Sequence, residues 1–111
     1  MKVINRIKAN DDFAITIKKG KAQRNQSYVI HYYINSLNYT RIGISVSSKL
    51  GNAVVRNHIK RQIRSICDSL IEYNSHSFDI VIVAKPNFLN TSYDDNKQSL
   101  SKIFNFIDRN Y

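Results

Sequence analysis

The chain has 111 residues, 42% of them hydrophobic, and a formal net charge of +9. This length and apolar content predict one folded domain with one core, covering residues 1–111, and argue against a disordered chain. A single cysteine excludes an internal disulfide. No apolar run is long enough to predict a signal peptide or a membrane helix, so we expect a cytoplasmic protein with no membrane partner.

The positive charge is concentrated in one half of the sequence. No Asp or Glu occurs from Phe13 through Cys67, a stretch that holds ten of the 17 Lys and Arg residues, and all eight acidic residues lie outside it. Such segregation costs free energy through self-repulsion, which a polyanionic partner relieves. The distribution favours a nucleic acid as partner over a merely solvated face or an anionic membrane surface.

The first predicted element is a short helix that starts at Asp11-Asp12 and ends at Gly20. Residues 18–26 are basic and polar and predict a loop. Residues 28–34 are β-branched and aromatic, and they predict a strand with Tyr28 and Ile30 on one face and His31 on the other.

Residues 41–47 also alternate and predict a second strand. Ile42, Ile44 and Val46 would face the core, and the opposite face, including Gly43 and Ser45, would be small, polar and accessible. A helix capped by Asn52 is predicted to run to about Tyr73. A buried strand at residues 80–83 and a last helix with an apolar stripe at residues 100–107 complete an α+β sandwich with helices packed on one sheet.

The helix after Asn52 separates two faces when its residues are placed at 100° intervals. Its apolar residues share an arc of about 120°, which predicts the core side. A different arc of about 140° holds Arg56, Asn57, Lys60, Arg61 and Arg64. No acid stands three or four residues from Arg56, Lys60 or Arg61 to offset the repulsion among these cations, and Asp68 stands four residues after Arg64. Because Arg and Lys pair with phosphates, this face is the predicted nucleic-acid surface.

RNA fits this surface better than DNA does. A reader of double-stranded DNA would present base-reading side chains on a protruding helix, whereas this helix packs by its other side. The adjacent acidic pairs, Asp11-Asp12 and Asp94-Asp95, would point apart on their helices and do not predict a metal-dependent nuclease site. We therefore expect no catalytic side chain and no metal ligand in the protein.

The block from Arg41 to Arg64, RIGISVSSKLGNAVVRNHIKRQIR, closely resembles the signature of the bacterial ribonuclease P protein component. Its Gly-Asn-Ala-Val, Arg-Asn-X-X-Lys-Arg and following Arg all match the family pattern. A weaker resemblance covers about residues 4 to 107. It implies the order α-β-β-β-α-β-α, with a four-stranded sheet and a left-handed β-α-β crossover.

The resemblance also implies a function. In the family, a catalytic RNA working with Mg²⁺ removes the 5′ leader of precursor tRNA, and the protein is the accessory subunit of this endonuclease, with no firmly bound cofactor of its own. The resemblance implies that the helix residues Arg56, Asn57, Lys60, Arg61 and Arg64 face the catalytic RNA, and that Lys49 also binds RNA near the edge of a leader cleft. It implies a leader cleft formed by Phe13, Ile17, Tyr28, His31 and Ser45.

The sequence departs from the family pattern in the leader cleft. Ile17 and His31 stand where the family often has aromatic residues. An aromatic ring that stacks on a base contributes about 1–3 kcal/mol, which an isoleucine cannot supply. The alternative to this family is another small basic RNA-binding protein, such as a ribosomal protein, which composition alone would permit.

Overall fold

The structure is a computed structural model and describes residues 1–110. It contains three α-helices and four β-strands. In chain order these are α1 (Asn10–Lys19), β1 (Lys21–Arg24), β2 (Tyr28–Ile34), β3 (Arg41–Ser45), α2 (Ala53–Leu70), β4 (Phe78–Ala84) and α3 (Tyr93–Arg109). Short 3₁₀ turns occupy Val3–Asn5, Ser48–Leu50 and Pro86–Asn90. The predicted α+β class and order of elements are confirmed.

The four strands form one mixed sheet in the order β1-β2-β4-β3. The β1–β2 and β2–β4 pairs are antiparallel, whereas β3 and β4 are parallel and are joined through α2. Beyond β3, the extended N-terminal segment adds a parallel bridge between Arg6 and Ile42, and the Ile7 amide donates to the Ile42 carbonyl at 3.0 Å. The N-terminal segment therefore covers the β3 edge.

The hydrophobic core lies between one face of the sheet and helices α2 and α3. The sheet contributes Tyr28, Ile30 and Tyr32 from β2 together with the alternate residues of β3 and β4. The predicted helix stripes are confirmed, since Ile59, Ile63, Ile66 and Cys67 of α2 and Leu100, Ile103, Phe104 and Ile107 of α3 are all buried. Among residues 1–110, no helix is long and apolar enough to cross a membrane.

The predicted strands differ slightly in their ends, since β3 ends at Ser45 rather than at residue 47 and β4 spans Phe78–Ala84 rather than residues 80–83. Two other predicted boundaries are wrong. The predicted loop at residues 18–26 contains the end of α1 and strand β1, whose hydrogen bonds to β2 hold it although its side chains are mostly exposed. The side chains of this edge strand do not alternate between buried and exposed, so the sequence has no strand pattern here. Helix α2 ends at Leu70, where Ile71 has the extended φ of −105° and ψ of 128°, rather than near Tyr73.

Helix α1 lies on the opposite face of the sheet from α2 and α3. Gly43 shows the packing, because a Cβ placed on it would come within 2.5 Å of the Phe13 ring. The Phe13 ring therefore lies directly on the backbone of β3. This corrects the prediction that the Gly43 face is accessible along its whole length, since α1 covers one end of it.

Candidate RNA interface

The start of α2 is set by two adjacent residues. Gly51 has φ of 146°, a conformation that residues with a Cβ rarely adopt. The side chain of Asn52 then accepts a hydrogen bond from the Val55 amide at 3.0 Å, which caps the helix as predicted. These contacts fix where the helix begins, and burial of its apolar stripe then fixes which residues point outwards.

The outward residues form the cationic face, defined as Arg56, Asn57, Lys60, Arg61 and Arg64. Asn57 and Arg61 are exposed, and the other three are half-buried. Within residues 1–110, none of the four cations lies within 4.0 Å of a carboxylate oxygen, and none of the five side chains donates a hydrogen bond to the protein. Apart from the buried Nε of Arg56, the polar groups of this face are therefore available for a ligand.

Arg56 is the most constrained member of the cationic face. Its Nε atom is buried and has no hydrogen-bond partner among the described residues. A buried donor without an acceptor costs about 1–3 kcal/mol. An anion bound by the guanidinium would offset part of this cost through charge-assisted hydrogen bonds.

Arg41, unlike the cations of α2, is paired with carboxylates. Its Nε donates to Asp79 Oδ1 at 2.9 Å, and its Nη1 lies 3.3 Å from Asp12 Oδ2 on α1. The hydrogen bond to Asp79 raises the pKa of Arg41 most, although burial lowers it. Arg41 thus clamps the start of α1 to strands β3 and β4 and is not available to phosphate.

The sheet face beneath α1 is only partly covered. Cross-strand register places His31, Val81 and Gly43 in one row and Val29, Val83 and Ser45 in the next. Val81 is fully buried, whereas Val29 and Val83 are half-buried and Ser45 is exposed. We call this second row, together with the adjacent Phe13, Ile17 and His31, the α1 cleft.

The members of the α1 cleft differ in exposure. Ile17 follows Phe13 by one helical turn, and 45% of its surface is accessible. His31 is half-buried, and burial followed by the nearby charge of Arg24 lowers the pKa of its imidazole. His31 is therefore neutral near pH 7 and offers a ring surface without a charge.

Tyr28 was predicted to belong to the leader cleft, and the structure contradicts this. It lies in the core on the opposite face of the sheet, has no exposed surface, and donates a hydrogen bond from its hydroxyl to the Asn96 carbonyl at 3.1 Å. Burial raises the pKa of this phenol. Alternation along β2 already places Tyr28 opposite His31, so the strand pattern was a better guide here than the family resemblance.

The cationic face and the α1 cleft adjoin each other at β3. A small hollow of about 100 Å³ is lined by Phe13 and Gly43 from the cleft side, by Arg64 from α2 and by Arg6 from the N-terminal segment. Lys49 is exposed in the 3₁₀ turn that joins β3 to α2. Arg64 of the cationic face and Phe13 of the α1 cleft therefore line the same hollow.

Three residues at the candidate site were not predicted from the sequence. Val29 and Val83 form the floor of the α1 cleft, and Arg24 is paired with Val29 at the β1 edge. Strand register brings them together, and register is a non-local property. Alternation along β2 did place Val29 on the same face as His31, but no local sequence feature indicated that α1 packs on that face.

Among residues 1–110, no three His, Cys, Asp or Glu side chains are grouped to hold a metal ion.

The family model for Ribonuclease P matches residues 1–108. The ribonuclease P protein component of Mesoplasma florum is 45% identical over 98 residues, covering 87% of this chain and 89% of that protein. The one from Bacillus cereus strain 03BB102 is 41% identical over 105 residues, covering 94% and 91%.

A solved structure of a Staphylococcus aureus RNase P protein, a mutant with defective mRNA degradation activity, superposes with a TM-score of 0.85 at 34% identity. The superposition covers 95% of this chain and 89% of that one. Agreement in sequence, length and fold decides against a ribosomal protein. The chain belongs to the ribonuclease P protein component family.

Proposed function

We propose that the chain is the protein subunit of a cytoplasmic ribonuclease P, in which the cationic face binds the catalytic RNA and the α1 cleft binds the 5′ leader of precursor tRNA. The observation that carries the proposal is the cationic face itself, whose four cations have no acidic partner among the described residues. Phosphates supply the missing acceptors, and Arg binds them in bidentate geometry.

The residues present indicate separate roles for the RNA and for the protein. The RNA, with Mg²⁺, supplies the chemistry of 5′ cleavage, and the chain binds and orients both RNAs. Phe13 offers an aromatic surface for a leader base, while Val29 and Val83 form an apolar floor and Ser45 supplies a hydroxyl. Contacts to unstacked bases and to the backbone suit a single strand of RNA.

The reconstituted holoenzyme tests this proposal. Adding the chain to a bacterial ribonuclease P RNA and precursor tRNA at low Mg²⁺ is expected to stimulate 5′ cleavage, because bound cations reduce repulsion between the two RNAs. The chain alone is expected to cleave nothing. Cleavage by the chain without RNA, or no stimulation of the RNA, would contradict the proposal.

Phe13→Leu tests the leader cleft separately. Leucine retains apolar contact with Gly43 but removes the stacking surface, so affinity for precursor tRNA should fall about tenfold, the effect of removing one base stack. Affinity for mature tRNA, which has no leader, should not change. Equilibrium binding of both tRNAs to the holoenzyme measures the difference, and an equal loss for both would remove Phe13 from the leader site.

A further inference from the structure

A second groove lies beyond the β1 edge, between the β1–β2 turn and helix α3. We call it the hairpin groove, and its volume is about 420 Å³. Arg24 and Gln26 line it from the turn, and Lys102 and Phe106 line it from α3. The described residues that line it include no Asp or Glu. The groove is therefore positively charged, and its lining combines polar groups with the apolar side chains of Ile103 and Phe106.

The internal amides of the groove are already used by the fold. Asn25 accepts from the amides of Ser27 and Tyr28 and donates to the Ser99 carbonyl, and Asn87 donates to Ser27. Lys85 donates from Nζ to the Asn25 carbonyl at 2.9 Å, which ties the turn to the end of β4. These bonds give the groove a fixed wall.

The remaining groups are available to a ligand. Arg24 and Lys102 are exposed and lie within 4.0 Å of no carboxylate oxygen in residues 1–110. Phe106 keeps 38% of its surface exposed although it lines the groove. An exposed aromatic ring beside cations is the combination that binds single-stranded nucleic acid, since the ring stacks on a base while the cations pair with phosphates.

Arg24 connects this groove to the α1 cleft. Its backbone is paired with Val29, on the floor of the cleft, and its charge lowers the pKa of His31. The same residue lines the hairpin groove. A strand of RNA leaving the cleft over the β1 edge thus meets Arg24 first and then Lys102 and Phe106.

We propose that the hairpin groove binds the distal nucleotides of the precursor tRNA leader, as a continuation of the α1 cleft. This inference rests on the proposed function, because it extends the path of the same RNA. It assigns Phe106 as a stacking surface and Arg24 and Lys102 as phosphate partners.

Leaders of different length test the extension. The holoenzyme is titrated with mature tRNA, with a precursor whose short leader fills only the cleft, and with a precursor of longer leader. The long leader should bind about tenfold more tightly than the short one, corresponding to one further base stack. The double variant Lys102→Ala/Phe106→Leu, which retains Arg24, should remove most of that difference and leave the short-leader affinity unchanged.

Lys97→Ala is the matched control, since it removes one positive charge from the same helix at a residue outside the groove lining. It should leave all three affinities unchanged. The single variant Lys102→Ala, at an exposed site, controls for a folding defect caused by the change at Phe106, and it should reduce the long-leader advantage in part.

Equal affinities for long and short leaders in the unaltered holoenzyme, or an equal loss of affinity for both leaders in the double variant, would overturn the groove proposal alone. Equal affinities for short leader and mature tRNA would instead overturn the cleft proposal.

Discussion

Replacing all four cations of the cationic face with glutamine is expected to weaken binding of the catalytic RNA about a thousandfold near physiological salt. Each cation that no longer pairs with a phosphate reduces the slope of log affinity against log salt concentration by about 0.7–0.9. Near physiological salt, this change corresponds to a several-fold loss of affinity. Removing all four cations reduces the slope by about 3. Binding titrations over a range of salt concentrations measure both quantities.

The same variant should unfold at a higher denaturant concentration than the unaltered chain. Removing like charges three and four residues apart on α2 stabilises a helix by a few tenths of a kcal/mol per pair. Loss of the buried, unpartnered Nε of Arg56 adds to this. We expect the free energy of unfolding to rise by about 1 kcal/mol, measured by urea denaturation.

A control variant separates the face from overall charge. Glutamine at Lys2, Lys8, Lys97 and Arg109 removes the same charge from residues outside α2. It should cost far less affinity, because only close charges pair with phosphate at moderate salt. Equal losses in the two variants would show that net charge, and not the cationic face, binds the RNA.

Arg41→Met is expected to lower the free energy of unfolding by about 3–5 kcal/mol, because it leaves Asp79 charged and without its main partner. The Asp79 side chain is only 10% exposed, and Arg41 is 19% exposed. A loss of this size is a large part of the stability of a small domain and lowers its melting temperature by about 10 °C or more. Thermal unfolding followed by circular dichroism measures it.

The double variant Arg41→Met/Asp79→Leu should recover most of the loss, since replacing both members of a buried ion pair with apolar residues is often neutral. Asn35 would lose its bond to Asp79 but would keep the one to the Tyr39 carbonyl at 3.2 Å. Arg109→Met, at an exposed site on α3, should change stability little. If the double variant is no more stable than Arg41→Met, the clamp is not a simple ion pair.

How far the sequence predicts the structure depends on whether a feature is local. The cationic face was predictable because Gly51 and Asn52 fix the start of α2 and the helical period then orders every residue after them. The buried position of Tyr28 was predictable from the alternation of β2. The wrong prediction arose because the family's cleft residues were assigned to Tyr28, which lies on the opposite face of the strand from His31.

Other features depend on contacts between distant segments. Which face of the sheet α1 covers is decided by the contact of Phe13 with Gly43 and by the pairing of Arg41 with Asp12 and Asp79. These residues are far apart in sequence, and neither contact leaves a periodic signal. The hairpin groove is likewise formed by a turn and a helix separated by most of the chain, so composition could not have revealed it.

The edges of the sheet have a consequence for the tendency of the protein to aggregate. An exposed edge strand can pair with the same strand of another molecule, which leads to aggregation. The β3 edge is occupied by the segment at Arg6 and Ile7, and the β1 edge carries Lys21 and Arg24 and little apolar surface. Growth of the sheet from one molecule to the next is therefore disfavoured at both ends.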